Sequence, residues 1–268
     1  VFIWRVLKMF LERFTNLFNL SGQVAIVTGA AQGNGMAISN ALYDAGATVI
    51  AGDLSFSENC KLHDGIKKVI IDVTDEKNVE DKFLEIYKDF KKIDILVNNA
   101  GIIYKELIDN IDISKFKKVM DVNLIGTVIC TKHAVEYMKK NNYGRIVNIS
   151  SSQAYLRTKT YSAYSASKTA VSHLTRIWGN ELAEFGIIVN AICPSFVMTP
   201  MMENSILQRS KQLNIDINSA IDLFVDDIPL KRILSTDEVS NWVIALCSKL
   251  SDSTTGNNFS ITAGQVQL

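Results

Sequence analysis

The chain has 268 residues, of which 47% are hydrophobic and 21% charged, and its 28 basic residues balance 28 acidic ones. This composition is typical of a soluble globular protein. It excludes a nucleic-acid binder that depends on phosphate neutralisation, because no basic tract or charged half is present.

The four cysteines are scattered, without CxxC or Cys/His spacing. The sequence therefore predicts no metal site, buried free thiols and a reducing, cytoplasmic location.

Residues 1–19 form a predicted amphipathic extension. Apolar side chains recur at helical spacing from Ile3 to Phe18, and charges such as Arg5 and Lys8 interrupt them. The run therefore cannot span a membrane, and no small-residue cleavage site follows it. Three interpretations stay open: a helix that packs on the body or on a second subunit, a helix at a membrane surface, or a mis-set start. We expect the folded domain to cover residues 20–268.

From residue 23 onward, short apolar, β-branched runs alternate with helical patterns. Strands are predicted at 24–28, 48–53, 68–72, 94–99, 144–151, 186–193 and 258–262, with helices over 75–90, 114–140, 163–184 and 236–246, among others. Most strand runs are uninterrupted, as expected where helices cover both faces. The pattern predicts an α/β, single-domain Rossmann fold with a doubly wound, seven-stranded parallel sheet. Only the segment 54–65 is too short for a full crossover helix.

The first strand leads directly into a glycine loop, TGAAQGNG at 28–35, which opens a helix. Gly29, Gly33 and Gly35 let the backbone approach a pyrophosphate, and the helix N-terminus supplies amide donors. A plain structural turn is the alternative.

Asp53 ends the second strand, about twenty residues after the glycine loop. A carboxylate at this point accepts the hydrogens of an adenosine ribose diol and repels a 2′-phosphate. The glycine loop contains no Arg or Lys that would attract such a phosphate. The sequence therefore predicts NAD rather than NADP, with a solvated aspartate as the alternative.

These motifs resemble the short-chain dehydrogenase/reductase family, in its classical subclass. The family's TGxxxGxG is intact at 28–35, its NNAG motif stands at 98–101, and the resemblance covers residues 20–268. It implies hydride transfer between a secondary alcohol and a nicotinamide cofactor. The implied cofactor-binding residues are Gly29, Gly33, Asn34, Gly35, Asp53, Asp72, Val73, Asn99, Ala100, Gly101, Tyr164, Lys168, Pro194 and Thr199.

Three tyrosines are followed four positions later by a lysine, and helical context selects one of them. Tyr164 and Lys168 open a helix with a sustained apolar stripe, where positions i and i+4 share a face. A nearby ammonium favours the phenolate, which makes the tyrosine a better base. Tyr155 lies in a predicted loop, and Tyr87 lies at the end of a charged helix. We therefore predict that Tyr164 and Lys168 act together.

The family resemblance supports the same pair. The family's catalytic serine precedes its tyrosine by thirteen residues, which selects Ser151. The resemblance implies that Tyr164 is the acid/base and that Ser151 orients the substrate oxygen. It implies that Lys168 binds the nicotinamide ribose and depresses the tyrosine pKa, while Asn123 holds a water that relays protons to Lys168. Tyr155 and Tyr161 are predicted to contact substrate together with Ser151.

The segment that follows the sixth strand departs from the family at one position. Ser195 stands where the family usually has Gly, and if that backbone needs a positive φ we expect a strain of about 1 kcal/mol. Residues 200–230 are predicted to form a substrate lid.

The substrate is predicted from short matches near the end of the chain. IPLKR at 228–232 and TAGQV at 262–266 resemble polyol and sugar-alcohol members of the family, notably sorbitol-6-phosphate 2-dehydrogenase. The leading hypothesis is NAD-dependent interconversion of a polyol, sugar or sugar acid, possibly phosphorylated, and its ketone. The alternatives are a 3-oxoacyl-(acyl carrier protein) reductase and a non-catalytic dinucleotide sensor or assembly subunit. The resemblance also implies a homotetramer or homodimer through the helices at 114–140 and 163–184. No nucleic acid and no integral membrane segment are expected.

Overall fold

In the computed structural model, residues 15–266 are described, and seven parallel strands form their central sheet in the order β3-β2-β1-β4-β5-β6-β7. The predicted doubly wound α/β fold is thereby confirmed. The strands are β1 (Val24–Thr28), β2 (Thr48–Asp53), β3 (Lys67–Ile70), β4 (Ile95–Asn98), β5 (Gly144–Ile149), β6 (Ile187–Pro194) and β7 (Asn258–Ile261). The helices are α1 (Gly33–Asp44), α2 (Glu76–Phe90), α3 (Ile113–Met120), α4 (Gly126–Asn141), α5 (Ser162–Glu181), α6 (Pro200–Leu213), α7 (Ile217–Val225) and α8 (Thr236–Cys247).

Each face of the sheet is covered by its own apolar layer. On one face, Ile38 and Leu42 of α1 pack with Val239 and Val243 of α8. On the other face, α2, α4 and α5 cover the strands, and Phe83 of α2 is fully buried there. The strand runs are uninterrupted because both faces of the central strands are removed from water, as the sequence predicts.

The helix predicted over 114–140 is divided in the structure. Helices α3 and α4 are joined by a wider π-helical turn, Asp121–Ile125, in which the Gly126 amide donates to the Asp121 carbonyl. Such turns shift the side chains that follow them and occur often at functional sites. Asn123 lies within this turn and is fully buried.

The connection from β2 to β3 contains no helix, as predicted, and the lid segment contains two. Thr199 caps α6, where its Oγ accepts from the Met202 amide, and Pro200 occupies the first turn. Met202 and Ile206 of α6 pack on Ala220 of α7 to form a small apolar cluster. The segment predicted to form a lid is therefore a helical pair with its own core.

The predicted N-terminal helix lies mostly outside the described residues. Within them, residues 15–18 are helical, and Leu20 is fully buried while its amide donates to the Ala45 carbonyl. Between residues 15 and 266, no helix combines the length and the apolar character needed to cross a membrane. Ile113, Ile125 and Ile177 are exposed on or beside the helices expected to join subunits. Association through those helices stays a prediction.

Candidate active site

A cavity of about 380 Å³ lies at the carboxyl ends of the strands. Residues that follow β1, β4, β5 and β6 line it together with Asp53 at the end of β2. The strand order reverses direction between β1 and β4, and in open α/β sheets ligands bind outside the strand ends at such a switch point. The topology therefore brings the sequence-predicted glycine loop and the predicted catalytic residues to one opening.

The glycine loop is packed too closely for side chains at two of its positions. Gly29 has a φ of +65°, and a Cβ there would lie 2.7 Å from the Ala100 Cα. A Cβ on Gly35 would lie only 2.0 Å from the Gly29 carbonyl oxygen. Gly29 and Gly33 line the cavity, whereas Gly35 does not. Gly35 therefore allows close packing of the loop on α1, and its part in cofactor binding stays a prediction.

The loop fits a dinucleotide phosphate. Helix α1 begins at Gly33, so its first amides point toward the cavity end of the loop. Asn34 also lines the cavity, and its Oδ1 is buried without a hydrogen-bond partner among residues 15–266. A phosphate that enters here accepts from the amides, whereas Asn34 Oδ1 is itself an acceptor and needs a donor such as a ribose hydroxyl.

Asp53 faces the same cavity and also holds the loop. Its Oδ2 accepts from the Ala31 amide at 2.8 Å, and its Oδ1 accepts from the Leu54 amide at 2.7 Å. Each carboxylate oxygen retains a free lone pair for a ligand hydroxyl. Asp72 and Val73, two further residues implied to bind the cofactor, line the cavity as well.

The NNAG segment ties three strands together. The Asn98 amide donates to Asn148 Oδ1 at 2.8 Å, and Asn99 donates to the carbonyls of Thr28 and Gly29 at 3.0 and 2.9 Å. These bonds join β4 to β5 and to the end of β1. Asn99, Ala100 and Gly101 all line the cavity. A Cβ on Gly101 would lie 3.4 Å from Asn123 Oδ1 and 3.5 Å from Lys168 Nζ, so the glycine leaves room between them.

Tyr164 and Lys168 lie on the first turns of α5 and both line the cavity. Lys168 is buried, and its Nζ donates to the Ile149 carbonyl at 2.7 Å and lies 5.8 Å from the centre of the Tyr164 ring. Ser151 begins the turn after β5, is buried, and lines the same cavity. The structure therefore brings these three predicted residues together.

Burial dominates the titration of this pair. It raises the pKa of the Tyr164 phenol, and hydrogen bonding with Ser151 opposes that rise. Burial also lowers the pKa of Lys168 to about 8. Desolvation is the largest effect on the phenol, and the depression of the tyrosine pKa by Lys168 stays a prediction.

Hydrogen bonds to the loop after β4 and to α5 fix the buried side chain of Asn123. Its side-chain amide donates to the Ile102 carbonyl at 3.0 Å and to Ser167 Oγ at 3.1 Å, and its Oδ1 accepts from the Ile102 amide at 2.8 Å. It does not line the cavity. The side chain clamps the loop after β4, and the water relay to Lys168 stays a prediction.

The two tyrosines predicted to contact substrate are separated. Tyr161 lines the cavity, and its ring makes an edge contact with Tyr164 at a centroid distance of 6.3 Å. Tyr155 does not line the cavity; its hydroxyl faces Ser172 and Cys193. Tyr155 follows the short 3₁₀ turn Ser152–Ala154, and the structure does not bring it to the cavity with Tyr161.

Ser195 lies outside the positive-φ region, so the backbone strain expected from its replacement of glycine is absent. Its amide donates to the Ile261 carbonyl at 3.0 Å. Pro194 and Thr199 line the cavity beside it. The Thr199 hydroxyl is engaged as the helix cap, and its predicted bond to a carboxamide stays a prediction.

Several cavity residues were not predicted from the sequence. Gln153 follows Ser151 by two positions, and Lys105 follows the NNAG segment by four. Met202 and Phe224 reach the cavity from the lid helices. Gln153 and Lys105 could have been predicted to line the cavity, because they lie close to the predicted motifs in sequence. No local pattern indicates which side chains of α6 and α7 point toward the cavity. Among residues 15–266, no group of three or more His, Cys, Asp or Glu residues is arranged to hold a metal.

Comparisons with known proteins agree with this geometry. Residues 23–210 match the family model of the short chain dehydrogenases. The chain is 34% identical to the 3-oxoacyl-[acyl-carrier-protein] reductase of Aquifex aeolicus over 91% of this chain and 98% of that protein. It is 32% identical to the 2-dehydro-3-deoxy-D-gluconate 5-dehydrogenase of Bacillus subtilis over 92% and 96%. Its fold matches the ligand-free aldohexose dehydrogenase of Thermoplasma acidophilum with a TM-score of 0.85 and 32% identity, covering 92% and 94%.

The family model covers more than half of the chain, and the relatives align over nearly their whole length. Three features of the structure agree with membership of this family: the sheet order, the glycine loop, and the cluster of Ser151, Tyr164 and Lys168. The chain therefore belongs to the short-chain dehydrogenase family and is an oxidoreductase that acts on CH–OH groups.

Proposed function

We propose that the chain is an NAD-dependent oxidoreductase that interconverts a secondary alcohol and its ketone on a polyol, sugar or sugar acid. The observation that carries the proposal is the shared cavity of Ser151, Tyr164, Lys168 and the glycine loop. Two of the reported relatives are named for sugar or sugar-acid substrates, which supports this substrate class.

In the proposed reaction, Tyr164 exchanges a proton with the substrate oxygen. NAD held by the glycine loop, Asp53 and Lys168 would supply the hydride acceptor for the alcohol carbon. The hydroxyl proton passes to the Tyr164 phenolate as the C=O bond forms, and the reverse reaction returns it from the phenol. Ser151 orients the substrate oxygen. Lys168 carries a positive charge below about pH 8, which favours the phenolate over the neutral phenol. The raised pKa of Tyr164 favours the protonated form that ketone reduction needs.

The choice of NAD rests on Asp53. Its carboxylate lines the cavity and is fixed by two backbone amides, so a 2′-phosphate next to it would meet an anion. Gln32 and Asn34, the loop residues that line the cavity beside the glycines, are uncharged. These features support NAD.

A second candidate is reduction of a 3-oxoacyl thioester, which the 34% identity to the Aquifex aeolicus reductase favours. Asp53 counts against it, since that reaction normally uses NADPH. A dinucleotide sensor without catalysis is the remaining candidate, and the presence of Ser151, Tyr164 and Lys168 in one cavity counts against it.

A substrate panel with both nucleotides tests these assignments. We expect turnover of at least one polyol, sugar or sugar acid with NAD, and a loss of kcat of about 10²–10⁴-fold in Tyr164→Phe with NAD affinity unchanged. Preference for NADPH would contradict the role of Asp53. Binding of NAD without turnover of any polyol, sugar or hydroxyacyl substrate would favour the sensor.

A further inference from the structure

Two polar atoms at the carboxyl ends of neighbouring strands are buried without a hydrogen-bond partner. Ser195 Oγ and Gln153 Oε1 are shielded from solvent, and neither has a partner within residues 15–266. Leaving such an atom unpaired costs on the order of 1–3 kcal/mol. Ten buried side-chain atoms lack a partner within residues 15–266, and these two are among the three whose residues line the cavity, where a ligand can complete them.

Both atoms belong to residues that line the cavity, on the side of the predicted acid/base. Strands β5 and β6 are adjacent, with Ile149 opposite Ile192, and Gln153 and Ser195 follow those strands by a few residues. Ser151 leaves the same end of β5. The other unpaired atom discussed above, Asn34 Oδ1, belongs to the glycine loop after β1. Among the residues that line the cavity, the unpaired atoms are therefore divided between the phosphate side and the side where the substrate is expected.

The Ser195 hydroxyl is not required by the local backbone. Its φ lies outside the positive region, and the backbone amide already donates to the Ile261 carbonyl. Another serine of the cavity, Ser205, differs in this respect because its hydroxyl donates to the Met201 carbonyl at 3.1 Å. Ser195 thus offers a free hydroxyl in a place where the fold does not use one.

We propose that Gln153 and Ser195 bind substrate hydroxyls other than the one that is oxidised, and so select polyhydroxylated substrates over acyl chains. A carbon chain with several hydroxyls donates to Gln153 Oε1 and exchanges a hydrogen bond with Ser195 Oγ. An acyl chain leaves both atoms unpaired, and sites built around buried polar groups reject ligands that cannot pair them. This inference rests on the proposed oxidoreductase function of the same cavity and identifies which residues choose its substrate.

Three single variants test the proposal: Gln153→Met and Ser195→Ala, with Ser253→Ala, at an exposed serine outside the cavity, as the control. The readouts are kcat/KM for D-gluconate and D-sorbitol with NAD, kcat/KM for acetoacetyl-coenzyme A with NADH, and the Kd of NADH from fluorescence titration. We expect each of the first two variants to lower kcat/KM for the polyhydroxylated substrates by about 10–100-fold, which corresponds to one lost buried hydrogen bond. The kcat/KM for the acyl substrate and the Kd of NADH should change less than about twofold, and Ser253→Ala should change none of these values.

The possible results distinguish a failure of this proposal from a failure of the proposed function. Equal losses on both substrate classes, or weaker NADH binding, would assign the two residues to the fold or the cofactor. Wild-type preference for acetoacetyl-coenzyme A would overturn the selection of hydroxylated substrates and leave the oxidoreductase assignment intact. If nothing is turned over, the proposed function fails, and the proposal is decided by thermal stabilisation of the NADH-loaded protein with D-gluconate or D-sorbitol. Stabilisation that Gln153→Met abolishes supports it, and no stabilisation overturns it.

Discussion

At the scale of single residues, burying the charged ammonium of Lys168 destabilises the folded protein. The proposed reaction uses that charge. Its side chain is buried without a described carboxylate partner, and burial lowers its pKa from 10.5 to about 8. Below pH 8 the lysine is charged in both the folded and the unfolded protein, so the full cost of burying the charge is present. Above pH 10.5 it is neutral in both, and that cost disappears. A shift of this size corresponds to about 3 kcal/mol.

This titration gives a prediction for stability. Between pH 8 and pH 10.5 the unfolded state binds more protons at Lys168, so the residue's contribution to stability rises with pH. We expect the free energy of unfolding of the wild type, minus that of Lys168→Met, to increase by about 2–3 kcal/mol from pH 7.5 to pH 10.5. Urea unfolding at several pH values measures it. The exposed Lys77→Met is the control, and a pH-independent difference for Lys168→Met would contradict the depressed pKa.

At the scale of elements, the junction of β1 with α1 depends on the absence of one methyl group. A Cβ on Gly35 would lie 2.0 Å from the Gly29 carbonyl oxygen and 2.5 Å from Asn99 Nδ2, so the loop must move to admit it. We expect Gly35→Ala to destabilise the protein by about 1–3 kcal/mol and to weaken NADH binding at least tenfold, because the loop amides lose their positions. Thermal unfolding and NADH fluorescence measure the two effects.

Gly22→Ala is the matched control for that prediction. Gly22 has a φ of +81°, but nothing lies within 4 Å of a Cβ built there. It should cost about 1 kcal/mol through its backbone alone and leave the NADH affinity unchanged. Equal NADH affinities of the two variants would show that the close contact at Gly35 does not set the loop.

Some elements of the fold could be predicted from the sequence, and others could not. The strands were predicted because their apolar runs are local and uninterrupted, and the Tyr164 helix because its stripe is sustained. The π turn around Asn123 was missed, since a wider backbone turn leaves the apolar periodicity nearly unchanged. The direction of Tyr155 and the unpaired atoms of Gln153 and Ser195 depend on tertiary packing, which no local pattern records.

At the scale of the whole molecule, the opposite end of the sheet from the cavity is held by a buried cation. Arg145 is the second residue of β5 and only 6% exposed, and its guanidinium lies 4.5 Å from the Tyr143 ring. Its Nη1 donates to the Gly144 carbonyl, and its Nη2 contacts Asp252 Oδ1 at 2.5 Å. Asp252 belongs to the connection between α8 and β7. This ion pair joins the start of a central strand to the last crossover of the fold.

Removing the charge of Asp252 should therefore weaken the fold without affecting catalysis. Asp252→Asn leaves the buried guanidinium without its carboxylate, while the exposure of Asp252 at 58% screens part of the loss. We expect a destabilisation of about 1 kcal/mol, or about 2–4 °C in Tm by thermal unfolding. Arg145 lies near the amino end of a six-residue strand whose other end leads to Ser151, so kcat/KM should stay unchanged.

The control Asp89→Asn removes a pair with Lys67 in which both side chains are about half exposed, and it should shift Tm by less than 2 °C. Equal shifts in the two variants would mean that burial of the Arg145 guanidinium adds nothing to the strength of its ion pair.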